Sequence, residues 1–240
     1  MRLWFVLALL FTTGTATLLV AQEALIENVG FGVEIYPHLS NRRLLAGPAL
    51  GFAEATRIDS LERSDFGYGA GVYYAQRVQR IGFHLGLRYL ITGYQTDNDI
   101  LPGQIPSNDP ILFSQTYTAQ LLEIPFQVNF YQNFGTKTSF YFTLGAAAGI
   151  HLNSTYERTV SPPEDNAFTE EFEVDEDYRS LNFAMIAAIG FEQRFDKITI
   201  GLQPTFEYWL GGNIRPREQT DVNRNLYNLG LRLTGQFSTY

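Results

Sequence analysis

The C-terminal stretch of the chain, residues 227–237, alternates between apolar and polar side chains. Its apolar positions are Tyr227, Leu229, Leu231, Leu233 and Phe237. Small or polar residues, including Arg232, occupy most of the positions between them. Because successive side chains of a strand point to opposite faces, the pattern predicts a β-strand with one apolar and one polar face.

Seven further runs show the same alternation. They begin near Val29, Phe66, Ile81, Leu122, Phe140, Leu181 and Ile198. Their lengths suit the roughly 9–11 residues that a tilted strand needs to cross the hydrocarbon layer. Eight faces rich in Leu, Ile and Phe exceed what one small interior can absorb, so we predict that these faces contact lipid.

The links between these runs alternate in length. Short turns are predicted near residues 76–79, 133–136 and 194–197, and long links include residues 95–116 and 153–179. This alternation is typical of membrane barrels, in which short turns are periplasmic and long loops extracellular. The sequence therefore predicts an all-β, eight-stranded antiparallel up-and-down transmembrane β-barrel over residues 22–240, with both termini periplasmic.

The first 21 residues have the pattern of a secretory signal peptide. Arg2 precedes an apolar run, and Ala21 ends the segment, so we predict cleavage after Ala21. An uncleaved anchor helix is the alternative, because the run approaches spanning length.

The composition excludes several classes of function. The chain has 240 residues, a formal net charge of −8 and no cysteine. The absence of cysteine excludes disulfides, thiolate metal sites and thiol catalysis. The acidic balance, without any block of Lys and Arg, disfavours nucleic acid as a partner.

Eight ionisable residues inside the runs share the polar face. They are Glu34, His84, Arg88, Glu123, His151, Glu192, Glu207 and Arg232. An Arg facing lipid at the bilayer midplane costs about 2–4 kcal/mol, so we predict that these residues point into the lumen. The interior of an eight-stranded barrel holds little more than its own side chains, which favours a structural network of paired charges. A gated ion path or a proton relay is the alternative.

Aromatic residues occur near the ends of many runs. Examples are Tyr74, Tyr94, Phe130, Tyr131, Phe195, Tyr208, Trp209 and Phe237. We predict that they form girdles at the two membrane interfaces, although aromatics are enriched in all β-proteins.

Residues 121–126 read Leu-Leu-Glu-Ile-Pro-Phe, and a short turn separates them from the Gly- and Ala-rich strand that starts near Phe140. This arrangement resembles the PorT-like outer-membrane β-barrel proteins of Bacteroidetes. The resemblance implies an outer-membrane location and, for some members, a link to protein secretion; it supplies no catalytic residues. The last strand is similar to the C-terminal signal by which outer-membrane barrels are recognised for assembly, except that three residues follow Phe237.

His38 and Ser40 lie two residues apart and hence on one face of a strand. Their spacing resembles the catalytic pair of lipid A deacylases, which are also eight-stranded barrels. A nucleophilic serine needs a base within hydrogen-bond reach and an acid to orient that base. The pair falls on the lumen face and no orienting acid is evident, so coincidence is the favoured interpretation.

The long link at residues 153–179 is strongly acidic. Its spacing matches no EF-hand, so a solvated loop is favoured over a cation site. Phe168, Phe172 and Val174 alternate within it and predict a strand that extends above the membrane, where its edge is available to a protein partner.

These observations predict a non-enzymatic integral outer-membrane barrel with a filled lumen and no cofactor. Its partners would be outer-membrane lipids, the barrel assembly machinery during insertion, and a protein that contacts the loops. The alternatives are a lipid-modifying barrel enzyme, a narrow ion channel and a soluble barrel of lipocalin type.

Overall fold

A computed structural model describes residues 26–47, 50–100, 110–162, 166–172, 178–212 and 222–239. The predicted signal peptide at residues 1–21 lies outside these ranges. The elements in chain order are β1 (Ile26–Ala46), α1 (Phe52–Leu61), β2 (Glu62–Arg63), β3 (Asp65–Val78), β4 (Ile81–Ile100), β5 (Leu112–Phe134), β6 (Thr138–Ser161), β7 (Phe168–Phe172), β8 (Leu181–Phe195), β9 (Ile198–Trp209) and β10 (Val222–Thr239).

Eight of the described strands form a closed antiparallel ring in the order β1, β3, β4, β5, β6, β8, β9 and β10. The ring closes where β10 pairs with β1, with Phe237 opposite Phe31 and Leu229 opposite Leu39. The short strands β2 and β7 lie outside the ring, paired with β4 and β6. The eight-stranded antiparallel barrel predicted from the sequence is confirmed.

Three tight turns lie at one end of the ring, which we call the short-turn end. They connect β3 to β4, β5 to β6 and β8 to β9. Gln79, Gly135 and Asp196 in these turns have positive φ angles of 52°, 81° and 45°. The described ends of the chain, at Ile26 and Thr239, also lie at this end, since Ile26 pairs with Val78 beside the first turn. The opposite end, which carries α1, β2 and β7, is the long-loop end.

The outer face of the ring is apolar along all eight strands. On β9, for example, the exposed side chains are Ile198, Ile200, Leu202 and Phe206. The residues between them, such as Gln203 and Glu207, are buried. A soluble barrel of lipocalin type would show the reverse distribution, with its apolar side chains inside. In every run, the apolar residues that were predicted to face lipid lie on the outer face of the ring.

The strands extend further at the long-loop end than the alternation alone predicted. β4 continues to Ile100 and β5 starts at Leu112, so the link between them is shorter than the predicted 95–116. β6 continues to Ser161, so the first part of the predicted acidic loop is strand. β7 pairs with this extension, with Thr169 opposite Thr159, and confirms the predicted strand around Phe168; Val174 lies outside the described residues.

The link between β1 and β3 contains the helix α1, which the sequence analysis missed. None of its ten residues is buried, and Gly51 at its N-cap provides no side-chain cap. The helix therefore gives only a weak apolar signal and lacks a side-chain cap, the two features by which helices are recognised in a sequence. No helix in the described ranges has the length and apolar character needed to cross a membrane.

The prediction of two aromatic girdles was wrong for three residues. Trp209 and Tyr94 are buried inside the barrel, with 1% and 4% of their surfaces exposed. Tyr131 is also on the inner face, where it stacks on Arg77. The reason is strand parity: Trp209 lies two residues after Glu207 and must share its face.

Candidate functional site

The centre of the lumen holds an ion cluster around Arg88 of β4. Arg88 donates from Nε and Nη2 to Oε2 of Glu123 at 2.9 and 2.6 Å. Its Nη2 also donates to Oε2 of Glu207 at 2.6 Å. The guanidinium carbon lies 4.6 Å from the ring centroid of Tyr36. Arg88 and both carboxylates are almost completely buried, so each charge depends on its partners for solvation.

A second guanidinium, that of Arg232 on β10, joins the same cluster. It donates from Nη1 to Oε2 of Glu34 at 3.3 Å and from Nε to Oε1 of Gln203 at 2.7 Å. Its Nη2 also contacts Gln127 of β5. Nε2 of His84 lies 3.5 Å from Glu34. Three carboxylates therefore face two guanidinium groups and one imidazole, and a single additional proton balances the cluster.

A smaller cluster closes the lumen near the short-turn end. Arg77 of β3 donates to Oε1 of Glu192 on β8 at 3.1 Å and to Oδ1 of Asn133 at 2.5 Å. Its guanidinium carbon lies 4.0 Å from the ring centroid of Tyr131. Arg77 was not among the predicted lumen residues, although it lies on the same parity as the buried Tyr73.

These contacts cross the full width of the barrel. In the ring order, β4 and β9 are four strands apart, and so are β5 and β10, and β3 and β8. Arg88–Glu207, Arg232–Gln127 and Arg77–Glu192 therefore each join opposite walls. These side chains meet across the diameter at two levels of the lumen.

Seven of the eight predicted lumen residues belong to these two clusters, and the eighth lies elsewhere. His151 is only partly buried, and its Nε2 lies 2.8 Å from Oγ of Ser154. Its ring stacks on Tyr178 near the long-loop end. His151 therefore lies too far along β6 to reach the ion pairs. The residues of the predicted assembly signal lie on the outer face of β10.

An aromatic and apolar layer separates the central cluster from the long-loop end. It includes Leu90, Tyr117, Ile186, Trp209 and Leu226. Trp209 lies over Gly149 on the inner face, where an added Cβ would collide with the indole ring. The small residue on one strand thus provides the space for the large residue on another, which keeps the layer closed.

His38 and Ser40 each bond to other groups in the barrel. Oγ of Ser40 lies 2.6 Å from Oγ1 of Thr92 and donates to the carbonyl oxygen of Gly93 at 2.6 Å. Nδ1 of His38 lies 3.0 Å from the carbonyl oxygen of Tyr36. Both side chains are buried inside the barrel. The serine and the histidine are therefore engaged with other groups, away from lipid.

The mouth of the barrel at the long-loop end carries a third set of ion pairs. The carboxylate of Glu62 contacts Arg42 and accepts from Nη2 of Arg224 at 2.5 Å. Arg42 also pairs with Asp59 of α1 at 2.5 Å. These pairs attach α1 and β2 to β1 and β10. These ion pairs were not predicted, because their residues lie beyond the lipid-facing part of the strands.

The neighbours of Arg224 stabilise the charged form of its guanidinium. Burial alone would lower the pKa of its guanidinium, but the neighbouring Tyr94 and Glu62 outweigh that effect and raise the pKa above the ordinary range. The guanidinium carbon lies 5.1 Å from the ring centroid of Tyr94. These neighbours therefore favour the charged form of the Arg224 guanidinium.

The described residues contain no group of three or more His, Asp or Glu side chains arranged to hold a metal ion. Part of the acidic link, including residues 173–177, lies outside the described ranges.

The sequence matches a family model described as "Outer membrane protein beta-barrel domain" over residues 21–215. No curated protein matches the chain. Among solved structures, Neisserial surface protein A (NspA) is 13% identical, with 85% of this chain and 95% of that chain covered and a TM-score of 0.38. Ail, the attachment invasion locus protein of Yersinia pestis, is 15% identical, with coverages of 85% and 97% and a TM-score of 0.32. The translocator domain of autotransporter NalP from Neisseria meningitidis is 9% identical, with coverages of 97% and 96% and a TM-score of 0.24. None of these matches is specific to PorT-like proteins or to Bacteroidetes.

Proposed function

Because the chain belongs to the outer membrane protein beta-barrel domain family, we propose that it is a sealed, non-enzymatic barrel whose long-loop end is a binding surface outside the cell. The main observation in support of this proposal is the set of ion pairs and hydrogen bonds that join opposite walls of the lumen. A barrel closed in this way anchors the chain in the membrane and leaves the long-loop end to contact a partner.

Two features support a binding role for the long-loop end. The extended strands β4, β5 and β6, together with β7, build a sheet beyond the lipid-facing belt. Arg42 of β1 pairs with Asp59 of α1 and with Glu62 of β2, and these ion pairs attach the helix to the mouth. Polar surfaces held on a rigid strand scaffold are typical of recognition sites.

The absence of enzymatic activity is part of the proposal. His38 and Ser40, the pair considered for lipid hydrolysis, each bond to other groups inside the barrel. A lipid substrate would approach from the outer face, where the side chains are apolar. A Ser40→Ala variant that altered the lipid composition of the membrane would contradict this part of the proposal.

The orientation of the barrel can be tested by labelling introduced cysteines. The chain has no cysteine of its own, so a maleimide reacts only with the one that is introduced. We place the short turns and both termini in the periplasm, as is usual for this architecture. We expect a membrane-impermeant maleimide to label Ser60→Cys, on the exposed surface of α1, in intact cells. It should label Thr136→Cys, in the turn after β5, only after the cells are broken. Labelling of Thr136→Cys in intact cells would reverse the orientation and remove the proposed binding surface.

The sealed lumen predicts an electrically silent barrel. We expect the purified protein to insert into planar bilayers without discrete conductance steps at any moderate voltage. Insertion is verified separately on vesicles of the same lipid, by the difference in electrophoretic mobility between unheated and heated samples. Regular conductance steps from folded, inserted protein would support the narrow-channel alternative and contradict the seal.

The link to protein secretion, which the PorT-like resemblance implied, remains a narrower hypothesis within this proposal. It requires the long-loop end or the short turns to contact a secretion component. Loss of secretion on deletion of the chain, restored by the full-length protein, would favour it.

A further inference from the structure

A cavity of about 360 Å³ opens in the mouth of the barrel at the long-loop end. Its wall includes residues of α1, β2, β4, β5, β6 and β10. The aromatic and apolar layer of the lumen lies beneath it and separates it from the central ion cluster. The cavity is at the lower end of the size range of about 300–1,000 Å³ for small-ligand sites, and we call it the cup.

One side of this cup is aromatic. The ring centroids of Tyr94 and Tyr117 are 5.2 Å apart, and those of Tyr117 and Tyr156 are 4.9 Å apart. Phe113 continues the same wall. Tyr94 and Tyr117 are buried, whereas Tyr156 is only partly buried and lines the cavity. Tyrosine combines a flat apolar face with a polar edge, which suits a ligand that has both kinds of surface.

The other side is charged but already balanced. Arg224 donates to Glu62, and Nη1 of Arg57 donates to Asp99 at 2.6 Å. Arg57 also bonds to Glu54. Because each of these cations already has an acidic partner, an ionic ligand would have to displace an existing ion pair. The charge balance thus favours a neutral ligand.

We propose that this cavity binds a neutral saccharide unit about the size of one hexose or a little more. Guanidinium and phenol groups donate hydrogen bonds while the carboxylates accept them, which matches hydroxyl groups that do both. The Tyr156 ring covers the C–H face of the sugar. The proposal rests on the proposed function, since it takes the long-loop end as the binding end and names the chemistry recognised there.

The test uses the full-length barrel in micelles of a detergent without a sugar headgroup. The probes are methyl α-D-glucoside, methyl α-D-galactoside and methyl α-D-mannoside, observed by saturation-transfer NMR. We expect at least one of them to bind, with an affinity that changes less than twofold between 50 and 300 mM salt. Tyr156→Ala should weaken that binding at least tenfold.

Two further variants keep the test informative. Thr96→Trp fills the cavity without removing an aromatic ring and should also abolish binding. Tyr74→Ala, on the outer face at the short-turn end, is the matched control and should bind as the original protein does. Each variant is first shown to be folded by its heat-dependent electrophoretic mobility.

Three results would overturn the proposal. The first is the absence of binding by all three glycosides to the unmodified protein. The second is binding that survives both Tyr156→Ala and Thr96→Trp. The third is binding of methyl glucuronide, weakened by salt, in place of the neutral sugars, which would make the ligand anionic. Any of these three results would rule out the saccharide as the ligand. If Ser60→Cys is nevertheless labelled on intact cells, the proposed orientation and the long-loop end as the binding end still hold.

Discussion

Replacing Arg88 with methionine should lower the free energy of unfolding by about 3–5 kcal/mol, because it leaves buried carboxylates without their partner. Arg88 donates to both Glu123 and Glu207, and Nη1 lies 3.9 Å from Oε1 of Glu34. In Arg88→Met the three carboxylates keep only Arg232 and the imidazole of His84 as partners, and both of these contact Glu34 rather than Glu123 or Glu207. The measurement is urea unfolding of the barrel in lipid vesicles, followed by tryptophan fluorescence and heat-dependent mobility.

Arg80→Met is the matched control for this variant. Arg80 is exposed in the turn between β3 and β4, so the same substitution there should change the unfolding free energy by less than about 0.5 kcal/mol. Equal effects at the two positions would mean that the Arg88 cluster is exposed to water rather than sealed in the lumen. If Arg88→Met fails to fold, adding Glu123→Leu and Glu207→Leu should restore folding, because the unpaired charges are then gone.

Replacing Leu202 with arginine should destabilise the inserted barrel by about 2–4 kcal/mol. Leu202 lies near the middle of β9 on the outer face, between Ile200 and Pro204, and pairs with Leu233 of β10. A guanidinium there would have to remain in the hydrocarbon or distort the bilayer. Vesicle unfolding experiments measure the change directly.

Leu45→Arg provides the comparison for this second prediction. Leu45 is also exposed and apolar, but it lies near the long-loop end of β1, two residues beyond Arg43. The cost of an arginine near the interface is about 0–1 kcal/mol. If Leu202→Arg costs no more than Leu45→Arg, the outer face of β9 does not lie in the bilayer core.

The alternation of side chains was sufficient to predict the ring. In a strand, a shift of one residue moves every side chain to the opposite face. The positions of the apolar residues in each run therefore identify its outer face, even when the neighbouring strands are unknown. For the same reason Arg77 and Arg42 were predictable, since each continues the inner parity of Tyr73 and Ser40. The apolar alternation of these two runs ends at the edge of the lipid-facing segment, before Arg77 and Arg42.

The partners of the lumen charges could not be predicted in the same way. Whether Arg88 meets Glu207 or Glu192 depends on the stagger of strands across the barrel, which is a property of the whole ring. His151 has the correct parity but lies too far along β6 to reach the cluster. The helix α1 gave no signal because it buries no residue, and its position depends on Arg42, Asp59 and Glu62.

The contact between Arg88 and Glu207 tests the central claim most directly, because it joins opposite walls of the sealed barrel. The measurement is a double-mutant cycle of unfolding free energies in lipid vesicles, with Arg88→Met, Glu207→Leu and the double variant. We predict a coupling energy of about 1–3 kcal/mol between the two residues. The double variant should therefore lose less unfolding free energy than the two single variants lose together. Additive effects, within about 0.5 kcal/mol, would contradict a lumen closed by contacts between opposite strands.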